Sequence, residues 1–387
     1  MIPHRRVVLS AVLLLASALP AQAWDLKVGP GLYYTQPSQA AKDAKDGDRV
    51  LIQAGTYEND TATWKAADLT IQAVGGPVRI VSRDGRVAGN KAIWVVQGDR
   101  TTIDGIHFSG ARSSHHNGAG IRLEGRDLTL RNCGFSDNQM GILTGHDPEG
   151  VVVIERCRFA DNGVGITPKN RIGHNIYIGR QKRFEMRFSS STGANVGHAV
   201  KSRAQENHIA YNHIADHREG RASYLVDLSE GGDSLLIGNV LQQGPKWEND
   251  TLVSFAAEKK SKAAGTLTMA YNTLVNAADQ GYFLRNYAPS AAVLVNNLLV
   301  GPGEIAQGPV EAQGTVRLPD GPADAQFVDA DAFDYRLEPA SPAVDAGTET
   351  PPQLAPAYSL VHGTGRVQER HTVGAAPDAG AFEAEAP

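Results

Sequence analysis

The chain has 387 residues, 41 of them glycine, with aromatics at only 6% and a formal net charge of −5. So mild a balance argues against nucleic acid as a partner, and glycine interleaved with short β-branched runs argues for tight turns between short strands. The length allows two ordinary domains or one long repeat.

Residues 1–23 read as an export signal. His4, Arg5 and Arg6 give a basic start, residues 7–19 are almost continuously apolar, and Ala21-Gln22-Ala23 is a small-x-small cleavage pattern. The run falls short of the roughly 20 apolar residues of a membrane span, which leaves an uncleaved anchor as the lesser alternative. No later segment is apolar enough to cross a bilayer. The mature chain is therefore expected to start near Trp24 as a soluble protein, periplasmic or secreted, and to be a monomer.

Residues 37–45 read as a short helix with Ser38 as its N-cap. Gly47-Asp48, the strand-like Val50-Leu51-Ile52 and Gly55-Thr56-Tyr57 follow. A short helix, Gly-Asp, a buried strand and Gly-Thr-Tyr together resemble the opening cap of the pectate-lyase-like family of right-handed parallel β-helices. The resemblance implies that residues 24–57 are cap and first turn, closing a solenoid end that would otherwise expose a sheet edge and an open core.

From there the chain repeats, over residues 58–300. Leu128-Thr129-Leu130-Arg131-Asn132-Cys133-Gly134-Phe135 aligns with Val152-Val153-Ile154-Glu155-Arg156-Cys157-Arg158-Phe159 at a period of 24, and Gly141-Ile142 and Gly165-Ile166 trail the two copies. Asn212, Asn239, Asn272 and Asn297 recur at intervals of 27, 33 and 25. Such periods signal stacked supersecondary units, and alternating strands within each unit make the array a β-solenoid. The recurring asparagines sit between strand-like runs, where asparagine tolerates a left-handed turn and can hydrogen-bond its neighbour one turn on. Cys133 and Cys157, also 24 apart, stack on adjacent turns either as a disulfide or as two inward thiols.

Residues 301–387 read as an irregular tail. Phe327-Val328-Asp329, Asp334-Tyr335-Arg336-Leu337, Ser341-Pro342-Ala343-Val344-Asp345-Ala346-Gly347 and Asp378-Ala379-Gly380-Ala381-Phe382-Glu383 fall in order. They look like the C-terminal tail of exported β-helix proteins of the same superfamily, which implies a segment folded back over the last turns. The expected fold is thus all-β, a single-stranded right-handed parallel β-helix with an N-terminal capping helix and an irregular C-terminal tail.

Chemistry concentrates at residues 174–230. Period-two alternation points Ile176 and Ile178 inward and Tyr177 outward, Val200 inward with Lys201 and Arg203 outward, and Val226 and Leu228 inward with Asp227 outward. Spacings of 24 and 26 place Tyr177, Lys201 and Asp227 in one column, with His174 and His198 as a second pair beside it. The stretch from Lys169 to Gly197 reads as an insertion that makes one turn irregular. His198-Ala199-Val200-Lys201-Ser202-Arg203 followed by Asn207 and Asn212 resembles the segment that carries the catalytic lysine of alginate lyases and chondroitinase B-type lyases.

That resemblance implies β-elimination at a uronic acid, with Lys201 as the base that removes the proton α to the carboxylate. The family's Arg-centred strand on the next turn is replaced here by Tyr224-Leu225-Val226-Asp227, leaving Arg203, Arg221 or Arg285 to supply the cation. An enolate-like dianion needs such cations, and Arg203 beside Lys201 would disfavour the ammonium. Tyr177 and His198 are an alternative base and acid. His174, Asp227, Glu230 and Arg285 are the expected substrate contacts. Calcium, held by Asp227, Glu230 and Asp233, is the one cofactor these residues suggest. The plainer alternative makes Asp227 and Lys201 a surface pair worth roughly 0–1 kcal/mol.

Two other functions share the groove. A glycoside hydrolase would need two flanking carboxylates, drawn from Asp227, Glu230, Glu248, Asp250 and Glu258. A non-catalytic polysaccharide-binding or envelope protein would need none. In every case the partner is an acidic polysaccharide.

Overall fold

Short strands separated by left-handed corners force this chain to wind. The computed structural model describes residues 23–165, 173–362 and 366–385, so the export signal, Ile166 and Lys169 lie outside the described residues. Each turn contributes one strand to each of three lanes, as in Leu128–Arg131, Gly134–Ser136 and Met140–Thr144. One turn later Val152 pairs in parallel with Leu128, Phe159 with Phe135, and Ile176 with Ile142. The 24-residue repeat is therefore one physical turn. The first two lanes merge into one long parallel sheet, and the third is a separate parallel sheet of ten strands among the described residues.

Inward positions stack like on like. Phe108, Phe135 and Phe159 lie ring over ring at 5.4 and 4.6 Å, and Ile142, Ile176, Val200, Val226, Val253 and Leu284 form an in-register aliphatic file. Burying each such side chain contributes about 1.5–3 kcal/mol. At the open end, the capping helix α1 (Pro37–Asp43) buries Pro37 and Ala40. Its N-cap is Gln36 and not Ser38. Proline at the first helical position needs no N–H partner there, and the Gln39 side chain accepts the Gln36 N–H at 3.2 Å.

The corner between the first two lanes carries a buried polar ladder. Asn212, Asn239 and Asn272 each donate Nδ2–H to the Oδ1 of the next in the file Asn212–Asn239–Asn272–Asn297, at 3.0, 2.9 and 2.9 Å. The left-handed residue is not the asparagine but the one before it: Tyr211, Gly238, Tyr271 and Asn296 have positive φ. The ladder starts earlier than its asparagines. Cys133 N–H meets Cys157 Sγ at 3.4 Å, Cys157 N–H meets Ser189 Oγ at 3.0 Å, and Ser189 N–H meets Asn212 Oδ1 at 3.0 Å. Both cysteines are buried free thiols acting as ladder rungs, and burial pushes the Cys157 thiol well above its ordinary range.

Two boundaries move. The strands Glu304–Gln307, Val310–Gln313 and Val316–Leu318 complete a further turn, so the solenoid passes residue 300 and the tail begins after Leu318. Residues 173–192 form an ordinary turn through Ile176–Ile178, Gln181–Arg187 and Ser190–Thr192. The extra length therefore lies before residue 173, between Arg158–Ala160 and Ile176–Ile178. The tail packs Phe327, Tyr335, Leu337, Leu360 and Phe382 on Val240, Val275, Leu298 and Val300 of the second lane. The apolar cluster it forms draws no described residue from the third lane.

Candidate active site

The third lane carries the predicted column. Tyr177, Lys201, Asp227, Ser254 and Arg285 are in-register partners on five successive strands. Ile176, Ile178, Val200, Ser202, Val226 and Leu228 beneath them are fully buried. Ser202 turns inward, donates to Asn207 Oδ1 at 2.6 Å and accepts the Ala204 N–H at 3.1 Å. In this chain the serine and asparagine after the lysine thus tie the lane to its corner.

Outward does not mean solvated. The Lys201 and Asp227 side chains are only 10% and 4% exposed, so they form a buried ion pair and not the surface pair of the plainer reading. Lys201 Nζ donates to Asp227 Oδ2 at 2.7 Å and to Glu258 Oε1 at 3.3 Å. Ser229 Oγ donates to the same Asp227 oxygen at 2.6 Å. Asp227 Oδ1 and Ser254 Oγ are both buried without a hydrogen-bond partner, leaving an unused acceptor and an unused hydroxyl on neighbouring strands. Such orphans are rare in folded proteins.

Arg203 meets Lys201 at a shared oxygen, Glu258 Oε1. Its Nε and Nη2 donate to the two oxygens of Glu258 at 2.8 and 2.6 Å, Nη1 donates to the Tyr177 hydroxyl, and Nε lies 3.7 Å from Glu230. Arg180 and Lys259 also pair with Glu230, at 2.6 and 3.4 Å. Burial alone would raise the Glu230 and Glu258 carboxyls, but Arg180 on the first and Arg203 and Lys201 on the second hold both below their usual range. Within this network four cations (Arg180, Lys201, Arg203, Lys259) face three carboxylates (Asp227, Glu230, Glu258), an excess of one positive charge.

The histidine pair extends to a third ring. His174 stacks on His198 at 4.7 Å, and His198 packs against Tyr224 at 5.0 Å. His174 Nδ1 accepts the His198 N–H at 2.9 Å and His198 Nδ1 accepts the Tyr224 N–H at 3.3 Å. Neutral imidazoles bonded this way carry their proton on Nε2, and His198 Nε2 lies 3.4 Å from Asp227 Oδ2. Burial first pushes both histidines well below 6.5, helped at His174 by the neighbouring His198 and then Lys201, and at His198 by Lys201 and Arg203. Burial likewise raises the Tyr224 hydroxyl to about 12.

A pH dependence follows. The unfolded chain protonates these imidazoles near pH 6.5 while the folded chain keeps them neutral. Their contribution is intact above that pH and is lost as pH falls through it. We expect melting temperature to drop between about pH 7 and pH 5.5, and the His174→Asn/His198→Asn variant, which keeps an acceptor near each Nδ1 site, to show a shallower drop. An unchanged slope in melts recorded across that range would remove the pair from the acid response.

Several expected members do not gather. Arg285 is in the column but two strands beyond Asp227, about 10 Å along it. It pairs with Asp250 at 2.8 Å and lies over Tyr282 at 4.5 Å. Arg221 pairs with Glu248 at 2.9 Å, away from the column. Asp233 begins a strand of the long sheet, past the left-handed Gly231 and Gly232, and is exposed. Asp233 thus stands in a different lane from Asp227. No group of three or more His, Cys, Asp or Glu among the described residues is arranged to hold a metal. Conversely, Arg180, Tyr224, Ser229 and Lys259 join the site unforeseen. Ser229 was within reach, two residues beyond Asp227 on an alternating strand; the others come from corners and loops whose spacing carries no register.

A family model described as "Right handed beta helix region" matches residues 44–176. The crystal structure of pectate lyase Pel9A superposes with a TM-score of 0.63, covering 94% of this chain and 97% of that one at 15% identity. The fold is a right-handed parallel β-helix. An alginate lyase from Paenibacillus sp. str. FPU-7 aligns less well, with a TM-score of 0.42 over 77% of this β-helix and 98% of its own chain, again at 15% identity. No curated protein sequence matches. At such identities the likeness is one of fold, and the site must be read from its own residues.

Proposed function

We propose that this β-helix is exported to the periplasm or beyond the cell and cleaves a uronic-acid-containing polysaccharide by β-elimination along its third lane. The observation that carries the reading is the Tyr177–Lys201–Asp227 column with Arg203 beside it, set in a network with an excess positive charge. A lane whose strands repeat every ~4.8 Å suits an extended polymer.

Lys201 rests as an ammonium between Asp227 and Glu258; after it releases that proton to solvent, the neutral Nζ takes the proton α to the carboxylate, and Asp227, fixed by Ser229, stabilises the ammonium that re-forms. Arg203 and Arg180 supply positive charge to the enolate-like transition state. The Tyr177 hydroxyl, in contact with the Arg203 guanidinium, passes a proton to the departing glycosidic oxygen. His198 is covered and directs Nε2–H toward Asp227, which suits positioning better than proton abstraction. Arg285 over Tyr282 contacts a sugar farther along the chain. Hydrolysis would need a carboxyl acid with a raised pKa, whereas Glu230 and Glu258 are held low and Asp250 is paired with Arg285.

The test is a panel of uronate polymers, alginate, polygalacturonate and a glucuronate-containing glycosaminoglycan, assayed with and without chelator. Elimination releases an unsaturated, ultraviolet-absorbing end. New reducing ends without that absorbance mean hydrolysis, and binding without cleavage makes the protein a polysaccharide-binding one. Loss of activity in chelator would assign a metal such as calcium to the site.

A further inference from the structure

We infer that Lys201 and Arg203 form the subsite for the substrate's carboxylate, and that Glu258 of this same chain fills it in the free protein. The inference rests on the third lane being the polymer site but does not require elimination. Glu258 is held as a bound carboxylate would be: two oxygens on the Nε/Nη2 fork of Arg203 at 2.8 and 2.6 Å, one of them also 3.3 Å from Lys201 Nζ. Fork geometry of this kind is what makes arginine the preferred partner of planar carboxylates.

Glu258 differs from the other two acids of the network. Asp227 and Glu230 are 4% and 12% exposed, whereas Glu258 is 41% exposed and covers cations that are themselves 10% and 13% exposed. Its backbone is fixed, because Glu258 N–H donates to Ser229 O and Ala256 N–H to Leu228 O, both at 2.8 Å. Rotation of one exposed side chain is thus enough to open the fork, with no loop movement. A uronate carboxylate entering as Glu258 swings out leaves the charge balance of the network unchanged, so neither Lys201 nor Arg203 is stranded without an anion. A neutral sugar offers no replacement and leaves the fork closed. The device favours acidic over neutral polymers.

The test measures binding by calorimetry in a Tyr177→Phe background, which lacks the proposed proton donor but keeps the clamp. Probes are saturated tetramers of galacturonate and of mannuronate, and the same tetramers with carboxyls reduced to alcohols. Adding Glu258→Gln should tighten binding of one or both acidic tetramers about tenfold and leave the reduced tetramers unchanged, and Glu258→Ala should move binding in the same direction. Equal or weaker acidic binding in both variants, or equal gains for the reduced tetramers, overturns the inference. Failure of every tetramer to bind either protein overturns the polymer-site reading as well. Tighter acidic binding without any unsaturated product from the unsubstituted protein keeps the subsite and discards elimination.

Discussion

Lys201→Ala is expected to lower turnover on a uronate polymer by about 10²–10⁴-fold, the usual contribution of a positioned proton-transfer group. The same change should also destabilise the protein. Asp227 is 4% exposed, and removing its cation leaves a buried carboxylate facing only the Ser229 hydroxyl at 2.6 Å and His198 Nε2 at 3.4 Å, at a cost of about 3–5 kcal/mol. The two effects separate in Lys201→Ala/Asp227→Asn. Neutralising the stranded carboxylate should return most of the lost stability in chemical denaturation and none of the lost rate. A double variant that regained activity with its stability would mean that the lysine holds the site together and does no chemistry.

The largest effect on stability alone is expected at the asparagine ladder. Asn272 Oδ1 accepts both the N–H and the Nδ2–H of Asn239, at 3.0 and 2.9 Å, while its own Nδ2 donates to Leu236 O and Asn297 Oδ1, each at 2.9 Å. Asn272→Ala removes four buried hydrogen bonds and leaves the Asn239 N–H without its acceptor, while Asn239 Nδ2 keeps Ile209 O and Asn297 Oδ1 keeps the Asn272 N–H; each group left unsatisfied costs about 1–3 kcal/mol. Partial relaxation should bring the total to roughly 4–6 kcal/mol, enough to melt the turns around 209–297 ahead of the rest, since a solenoid's stability is local to neighbouring turns. Hydrogen exchange would show the loss of protection there. Uniform protection across all turns in the variant would contradict the ladder's role.

How much was legible in the sequence follows from the same geometry. A turn of near-constant length writes itself as a period, so the 24-residue spacing of Tyr177 and Lys201 gave a true register. Alternation gave the outward column because aliphatic residues must face the core. Loops obey neither rule. Glu258 follows the strand Thr251–Phe255 and reaches back to Lys201 and Arg203, and nothing in its spacing distinguishes it from Glu248 or Asp250. Asp233 was misplaced for a related reason: only five residues separate it from Asp227, but two left-handed glycines turn the chain into another lane. Arg203 shows a subtler failure. Sequence adjacency suggested a direct neighbour of Lys201, whereas the two side chains meet through Glu258, and Arg203 also donates to the Tyr177 hydroxyl.

Mass spectrometry of the products from a defined uronate oligomer tests the central claim most directly. Elimination splits the chain without adding water, so the two product masses must sum to the substrate mass, with one product carrying an unsaturated non-reducing end. Products that together exceed the substrate by one water would make this β-helix a hydrolase and remove Lys201 from the role of base.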